Sequence, residues 1–285
     1  MPDTMPTRRR ANLIALLGLG GLAAWPLRGW AQTGGAATAP ATEADPMWPR
    51  IVASVFDGRA ITAADPAQLQ LLAPARAVDA AFVPVTVRSG GAPGSGAVRI
   101  TRLTLVVDNN PAPVAAVFDF GPRAGRADIE TRLRIDAYSM VRAVAELADG
   151  TLVMSARYVK AAGGCSAPAG ADAAAAEASL GRMQLRADAA TAGSPVQAQL
   201  QISHPNHSGL AMDQLSRLYT PSHFVRTLDI SFDGERVMHA ELDFALSENP
   251  SLRFQFLPGH AGVLRADAQD TQGRRFSTTL AVAPA

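Results

Sequence analysis

The chain holds one cysteine and one lysine among 285 residues, and aromatic residues make up only 6% of it. A single cysteine excludes any disulfide within the chain, so Cys165 must be buried, joined to another molecule or chemically employed. No apolar run is long enough to anchor the chain: the stretch from Leu13 to Ala24 falls short of the roughly 20 residues a spanning helix needs. The Gly-x-Ser-x-Gly turn of serine hydrolases is missing, and Ser139 and Ser166 have no His and Asp in a hydrolase pattern. Neither a phosphate loop nor a dinucleotide fingerprint is present.

What stands at the N-terminus reads as an address. Arg8, Arg9 and Arg10 precede the short apolar stretch, and Gly29-Trp30-Ala31 offers small residues where a signal peptidase cuts, before Gln32. Residues 1–31 are therefore expected to be an export signal, with consecutive arginines of the twin-arginine type. That segment carries four arginines against one acid, Asp3, a net +3 in a chain whose total is +1, so the mature protein is −2. The slight basicity belongs to the leader, and nothing remaining argues for nucleic acid or an anionic membrane as partner. The mature chain has no membrane span.

Residues 32–45 are mostly Gly, Ala, Thr and Pro with little to build a core, an expected disordered lead-in. Trp48, Ile51, Val55 and Phe56 fall at helical spacing, and Asp65-Pro66 leading to Leu69 and Leu72 predicts a second short helix. From Ala81 the period shortens. Strands are predicted around Phe82–Val87, Ile100–Val107, Val114–Phe120, Thr131–Ile135, Met140–Leu147 and Leu152–Val159, the last two joined by an Asp149-Gly150 hairpin turn. In the fourth of these, Arg132 and Arg134 alternate with apolar residues, as on a half-solvated strand.

The pattern stops at Ala161. Residues 163–180 are mostly glycine, alanine and acids, and read as a linker. A second set of strands follows over Val196–Ser203, His223–Phe232, Arg236–Phe244 (after an Asp233-Gly234 turn), Leu252–Phe256, Val263–Ala268 and Arg275–Val282. Repeated short strands with turns between them predict an all-β chain of two antiparallel β-sandwich domains, residues 46–162 and 181–285, with short N-terminal helices.

Cys165 sits in the linker after Gly163 and Gly164, with no bulky neighbour in sequence to cover it. The expectation is a thiol on a flexible, exposed arm, able to bond a small group covalently and carry it. Only Lys160 among the basic residues lies near it in sequence, so the thiol is expected to keep an ordinary pKa near about 8.5. His204 and His207 form a His-x-x-His pair at a strand-to-turn junction and could hold Zn or Cu, although no carboxylate or cysteine sits at ligand spacing. Turn-stabilising or interface histidines are the plainer reading. Asp108-Asn109-Asn110-Pro111 is ordinary turn chemistry rather than a calcium loop.

Residues 48–165 resemble SoxY and residues 196–283 resemble SoxZ, the two subunits of the periplasmic sulfur-oxidation carrier SoxYZ. The likeness rests on Phe82-Val83-Pro84-Val85-Thr86-Val87, Leu105-Val106-Val107-Asp108-Asn109-Asn110-Pro111 and Gly163-Gly164-Cys165 in the first half. In the second it rests on His204-Pro205 with Ser208-Gly209, Thr220-Pro221-Ser222-His223-Phe224-Val225 and Ser247-Glu248-Asn249-Pro250. The fused order, with Gly-Gly-Cys-Ser-Ala-Pro internal, is similar to SoxYZ-like carriers associated with quinoprotein dehydrogenases. The resemblance implies two immunoglobulin-like domains packed on each other, in the periplasm. It implies Cys165 as the attachment point for a sulfur-containing cargo, Gly163 and Gly164 as the arm's hinge, and no resident cofactor. Separate sulfur-processing or redox enzymes would act on the cargo, so the protein itself is a carrier and not an enzyme. One departure stands out: SoxY ends two glycines after its cysteine, whereas here Ser166-Ala167-Pro168 follow and the chain runs on for 120 residues. An arm tethered at both ends has a shorter reach. The alternative is a non-covalent or metal-handling accessory to a periplasmic quinoprotein dehydrogenase, with His204 and His207 as ligands.

Overall fold

The computed structural model describes residues 46–90, 98–167, 173–189, 194–212 and 216–283. The export signal, the lead-in and Pro168 lie outside the described residues. In chain order the elements are α1 (Trp48–Val55), β1 (Ile61–Ala63), β2 (Leu69–Leu72), β3 (Val83–Ser89), β4 (Ile100–Val107), β5 (Val114–Phe120), β6 (Ile129–Leu133), β7 (Ser139–Leu147) and β8 (Leu152–Val159). After the linker come α2 (Ala173–Ser179), β9 (Met183–Ala187), β10 (Val196–Ile202), β11 (Val225–Phe232), β12 (Glu235–Leu242), β13 (Ser251–Phe256), β14 (Gly262–Asp270) and β15 (Arg275–Val282). The chain is all-β, as its short alternating runs predict, with the strands of each half laid in two sheets.

The halves are joined more closely than two separate sandwiches would be. One sheet runs β1-β8-β7-β4-β5-β12-β11-β14-β15 and the other β2-β3-β6-β13-β10-β9, so each crosses from the first half into the second. In the larger sheet β5 pairs with β12 in antiparallel register, with Phe118 opposite Ala240 and Ala116 opposite Leu242. In the smaller sheet Arg253 of β13 lies opposite Glu130 of β6. Pairing edge to edge removes an unpaired strand edge from each half. A single hydrophobic cluster follows, with Leu103, Leu105, Phe118 and Leu133 of the first half and Phe232, Ala240, Phe254 and Phe256 of the second.

Two devices explain local departures from simple alternation. Strands β4 and β7 are buried on both faces: Leu105, Val107, Val141 and Ala143 face the main core, while Val106 and Val144 join Ile51, Phe56 and Leu152 under α1. The bidentate pair Arg142–Asp108 (Nη2–Oδ2 2.6 Å) is buried beside that helix, with the Arg142 guanidinium 4.1 Å from the Trp48 ring centre. The second helix predicted at Asp65-Pro66 is instead a single turn followed by strand β2. Asp65 caps the turn through Oδ1 to the Ala67 N–H (2.7 Å), after which Leu69 and Leu71 alternate into the core and pair with β3. Two-residue spacing of buried leucines satisfies a sheet, and cross-strand pairing overrides the helix-start signal. The Asp-Gly hairpins stand as predicted, with Gly150 at φ +84° and Gly234 at φ +81°.

Candidate functional site

The segment after β8 folds back onto the end of β6 instead of projecting into solvent. Gly163 N–H donates to the Asp136 carbonyl (2.8 Å) and Gly164 N–H to the Ile135 carbonyl (2.9 Å), while Ile135 N–H donates to the Ala80 carbonyl (2.9 Å). Ser166 Oγ–H reaches back to the Gly163 carbonyl at 3.3 Å. Cys165 is held inside this turn with 0% exposure.

The two glycines do different work. Gly163 turns the chain at φ +82° and a Cβ there would meet nothing within 4 Å. Gly164 has an ordinary backbone, but a Cβ on it would lie 2.1 Å from the Ala80 carbonyl oxygen and 2.8 Å from the Ile135 nitrogen. One glycine makes the bend; the other lets backbone lie against backbone.

The second half supplies the other wall. Ser208 Oγ–H donates to the Cys165 carbonyl (2.5 Å) and accepts the Leu210 N–H (3.1 Å). Residues 204–208 are held rigidly for this. Asn206, at φ +47° and fully buried, donates through Nδ2 to the Leu246 carbonyl and accepts the Val225 N–H on Oδ1. Arg134, at the end of β6, spans the junction: Nη1 faces the Gly164 carbonyl (3.5 Å) and Nη2 the carbonyls of Pro205 (3.5 Å) and Asn206 (3.3 Å).

These contacts correct the sequence reading of Cys165 in two respects. The thiol is enclosed rather than exposed, because the turn that carries it is pinned to the Ala80 and Ile135 backbone at Gly164 and to Ser208 at its own carbonyl, by residues none of which is close to it in sequence. Its pKa is also far from ordinary. Burial, followed by the negative charges of Asp136 and Asp243, pushes the thiol up to about 12, against the opposing charge of Arg134. In this docked state the sulfur is a protonated, unreactive thiol at neutral pH. Arg134 departs from expectation as well: it is 3% exposed, where strand alternation predicted solvent.

The histidines also regroup. His204 comes together with His223 and Asp270 rather than with His207, their ligand atoms all within 4.8 Å of one another. Asp270 Oδ2 accepts His223 Nε2–H (2.8 Å), and Asp270 Oδ1 accepts the N–H groups of Gln272 and Arg274 at the β14–β15 hairpin. His204 Nδ1 accepts the Asn206 N–H (3.0 Å), which leaves the ring proton on Nε2, 3.7 Å from Asp270 and without a hydrogen bond. A cation at Nε2 would need that proton removed from a ring whose other nitrogen is already an acceptor. Burial, then the charge of His223, lowers the His204 pKa to about 4, so the ring is neutral. His207 is half-buried, and its carbonyl accepts the His223 N–H (3.0 Å). The cluster thus fits a hydrogen-bonded latch behind residues 204–208 better than a metal centre. The grouping of His223 with His204 and Asp270, and of Arg134 with the arm, carried no signal in the sequence; only the fold brings them together.

Residues 52–165 match the family model of sulfur oxidation protein SoxY, and residues 183–281 that of sulphur oxidation protein SoxZ. The chain is similar to the solved sulfur carrier protein SoxY from Chlorobium limicola f thiosulfatophilum, at 27% identity over 40% of this chain and 96% of that one, with a TM-score of 0.33. It is also similar to a superoxide reductase (neelaredoxin) from Ignicoccus hospitalis, at 16% identity over 39% of this chain and 87% of that one, with a TM-score of 0.27. No curated protein matches the chain. Among the described residues no helix is long and apolar enough to cross a membrane.

Proposed function

The chain belongs to the SoxY and SoxZ families, fused in one polypeptide, and from that premise we propose that it is a covalent carrier, not an enzyme. It holds a small sulfur-containing group on Cys165 while partner enzymes process it. The observation that carries this reading is the placement of Cys165: it is the last residue of the SoxY match, and it lies on a glycine-built turn clamped between the SoxY and SoxZ halves.

Docking gives the carrier two states. With the arm down, the thiol is protonated and enclosed. Release breaks the Gly163–Asp136, Gly164–Ile135 and Ser208–Cys165 hydrogen bonds. At about 0.5–1.5 kcal/mol each, these cost roughly 1.5–4.5 kcal/mol, small enough for a partner's surface to supply. The released thiol returns to an ordinary thiol pKa and becomes a nucleophile. Joining Cys165 to the thiol of a sulfur compound forms one S–S bond and releases two protons and two electrons. A redox partner must accept the electrons. The internal Gly-Gly-Cys-Ser-Ala-Pro and the fused order support a periplasmic quinoprotein dehydrogenase or another sulfur-processing enzyme in that place.

In this reading residues 1–31 direct export to the periplasm and are removed. Residues 46–162 and 181–285 are the bodies that partners recognise, and residues 163–180 are the arm and connecting segment.

The test is the intact mass of protein purified from its native host. Adducts that vanish on reduction, and that are missing in Cys165→Ser, support the carrier; the same spectrum reports whether residues 1–31 have been cleaved. A bare mass, together with full biological activity of Cys165→Ser, would sink it. Metal content of the wild type and of His204→Ala with His207→Ala tests the metal-handling alternative.

A further inference from the structure

Arg134 is buried with no carboxylate in contact. Among the described residues it forms no ion pair, its Nε has no hydrogen-bond partner, and its two terminal nitrogens reach only carbonyls at 3.3–3.5 Å. Burial lowers its pKa, opposed by the more distant Glu248 and Asp79 carboxylates and by Cys165 when it is ionised. A guanidinium carries five N–H donors in a planar fork matched to oxyanions, and a buried cation left with weak neutral partners is costly. One of those partners, the Gly164 carbonyl, belongs to the arm itself. When the arm moves, Nη1 loses that bond and the fork is freed on the side of Cys165. Adding atoms to a sulfur with 0% exposure requires such a movement.

Carboxylates face the thiol too. Asp136 and Asp243 both act on it, and Asp243 Oδ1 is buried without a hydrogen-bond partner, with its pKa raised by that burial. Arg134 is the cation that offsets them.

We propose that Arg134 is the residue that recognises the charge of the cargo: its guanidinium binds an oxyanion of the sulfonate class joined through sulfur to Cys165. The identity of the cargo rests on the carrier reading, but the anion site does not, and it can be tested on purified protein.

Cys165 is loaded in two ways, each with the chain unfolded in urea and then refolded. Tetrathionate leaves –S–SO3⁻ on the sulfur: one S–S bond breaks as another forms, thiosulfate departs, and no outside oxidant is needed. Methyl methanethiosulfonate leaves the neutral –S–CH3, with methanesulfinate departing. Release of each group by dithiothreitol is followed by intact mass and normalised to the same adduct on a peptide of residues 160–168. In the wild type the anionic adduct should be released about tenfold or more slowly than from the peptide, and the methyl adduct near the peptide's rate. Arg134→Gln should abolish the difference, and Arg134→Lys, which keeps the charge without the fork, should retain part of it. Equal normalised rates for the two adducts in the wild type overturn the proposal, as does undiminished protection in Arg134→Gln. Should Arg134→Gln fail to refold, the wild-type pair and Arg134→Lys decide. If native protein carries an adduct that Arg134 does not protect, the anion site falls and the carrier stands. If Arg134 protects the adduct but native protein is bare, the reverse holds.

Discussion

Gly164→Ala should release the thiol. The new Cβ would lie 2.1 Å from the Ala80 carbonyl oxygen, 2.6 Å from its carbon and 2.8 Å from the Ile135 nitrogen, all backbone atoms that cannot swing aside. The docked turn is therefore sterically closed to alanine, and the hydrogen bonds to Ile135, to Asp136 and from Ser208 are lost together. At about 0.5–1.5 kcal/mol each, their sum of roughly 1.5–4.5 kcal/mol raises the open fraction about 10- to 2,000-fold. The assay is the rate at which the neutral reagent iodoacetamide modifies Cys165, from about pH 7 to about pH 10. The pH profile is the sharper readout. The docked thiol's pKa is raised above that of the free thiol, so docking is at full strength below about pH 8.5 and weakens as pH climbs towards about 12. In the wild type the logarithm of the rate should therefore keep rising past pH 9. In Gly164→Ala it should level off near pH 8.5–9, as for a free thiol of ordinary pKa near about 8.5. Gly163→Ala is the control. Its strain is that of an L residue at φ +82°, about 1–2 kcal/mol, with no atom within 4 Å to clash, so its rate rises about 5- to 30-fold and its profile still climbs. A wild-type profile that levels off near pH 8.5, or a Gly164→Ala rate within twofold of wild type, would refute the docked arm.

Three further outcomes follow from the same contacts. Ser208→Ala removes one bond to the Cys165 carbonyl and should speed labelling several-fold, about 1 kcal/mol, with no change in the thermal midpoint of the whole fold. Asp108→Ala strands the buried Arg142 guanidinium and should cost about 3–5 kcal/mol, read by urea unfolding; Arg142→Met with Asp108→Leu should recover much of it. His204 is neutral with its pKa depressed to about 4, so the stability it contributes is complete above the unfolded value near 6.5 and is lost as pH falls through 4. The urea midpoint of the wild type should therefore drop between about pH 6.5 and about pH 4 more steeply than that of His204→Gln.

Much of the molecule is readable without its fold. Alternation at Val83, Val85 and Val87, or at Leu252, Phe254 and Phe256, names strands because a half-buried sheet has period two. The Asp-Gly turns name hairpins because only glycine enters the left-handed region freely. Strand β2 was not readable: Asp65-Pro66 is a genuine turn-starter, and whether one turn or three follow depends on β3 lying alongside. Nor was β9, whose Met183–Ala187 run is too short to separate from linker and is recruited by β10.

By itself the sequence determined that this protein has one thiol, set after two glycines between a SoxY half and a SoxZ half, and that each half is built of strands. Those are local properties, carried by residue type and period. Only the tertiary structure decided that the thiol is enclosed, that Gly164 lies close against the Ala80 and Ile135 backbone, and that Arg134 faces the arm instead of solvent. The physical reason is distance along the chain: Ala80, Arg134 and Ile135 come to the arm through the folding of the first half upon itself, and Ser208 joins them because β5 pairs with β12 and brings the two halves into common sheets. No reading of the eight residues around the cysteine contains that pairing.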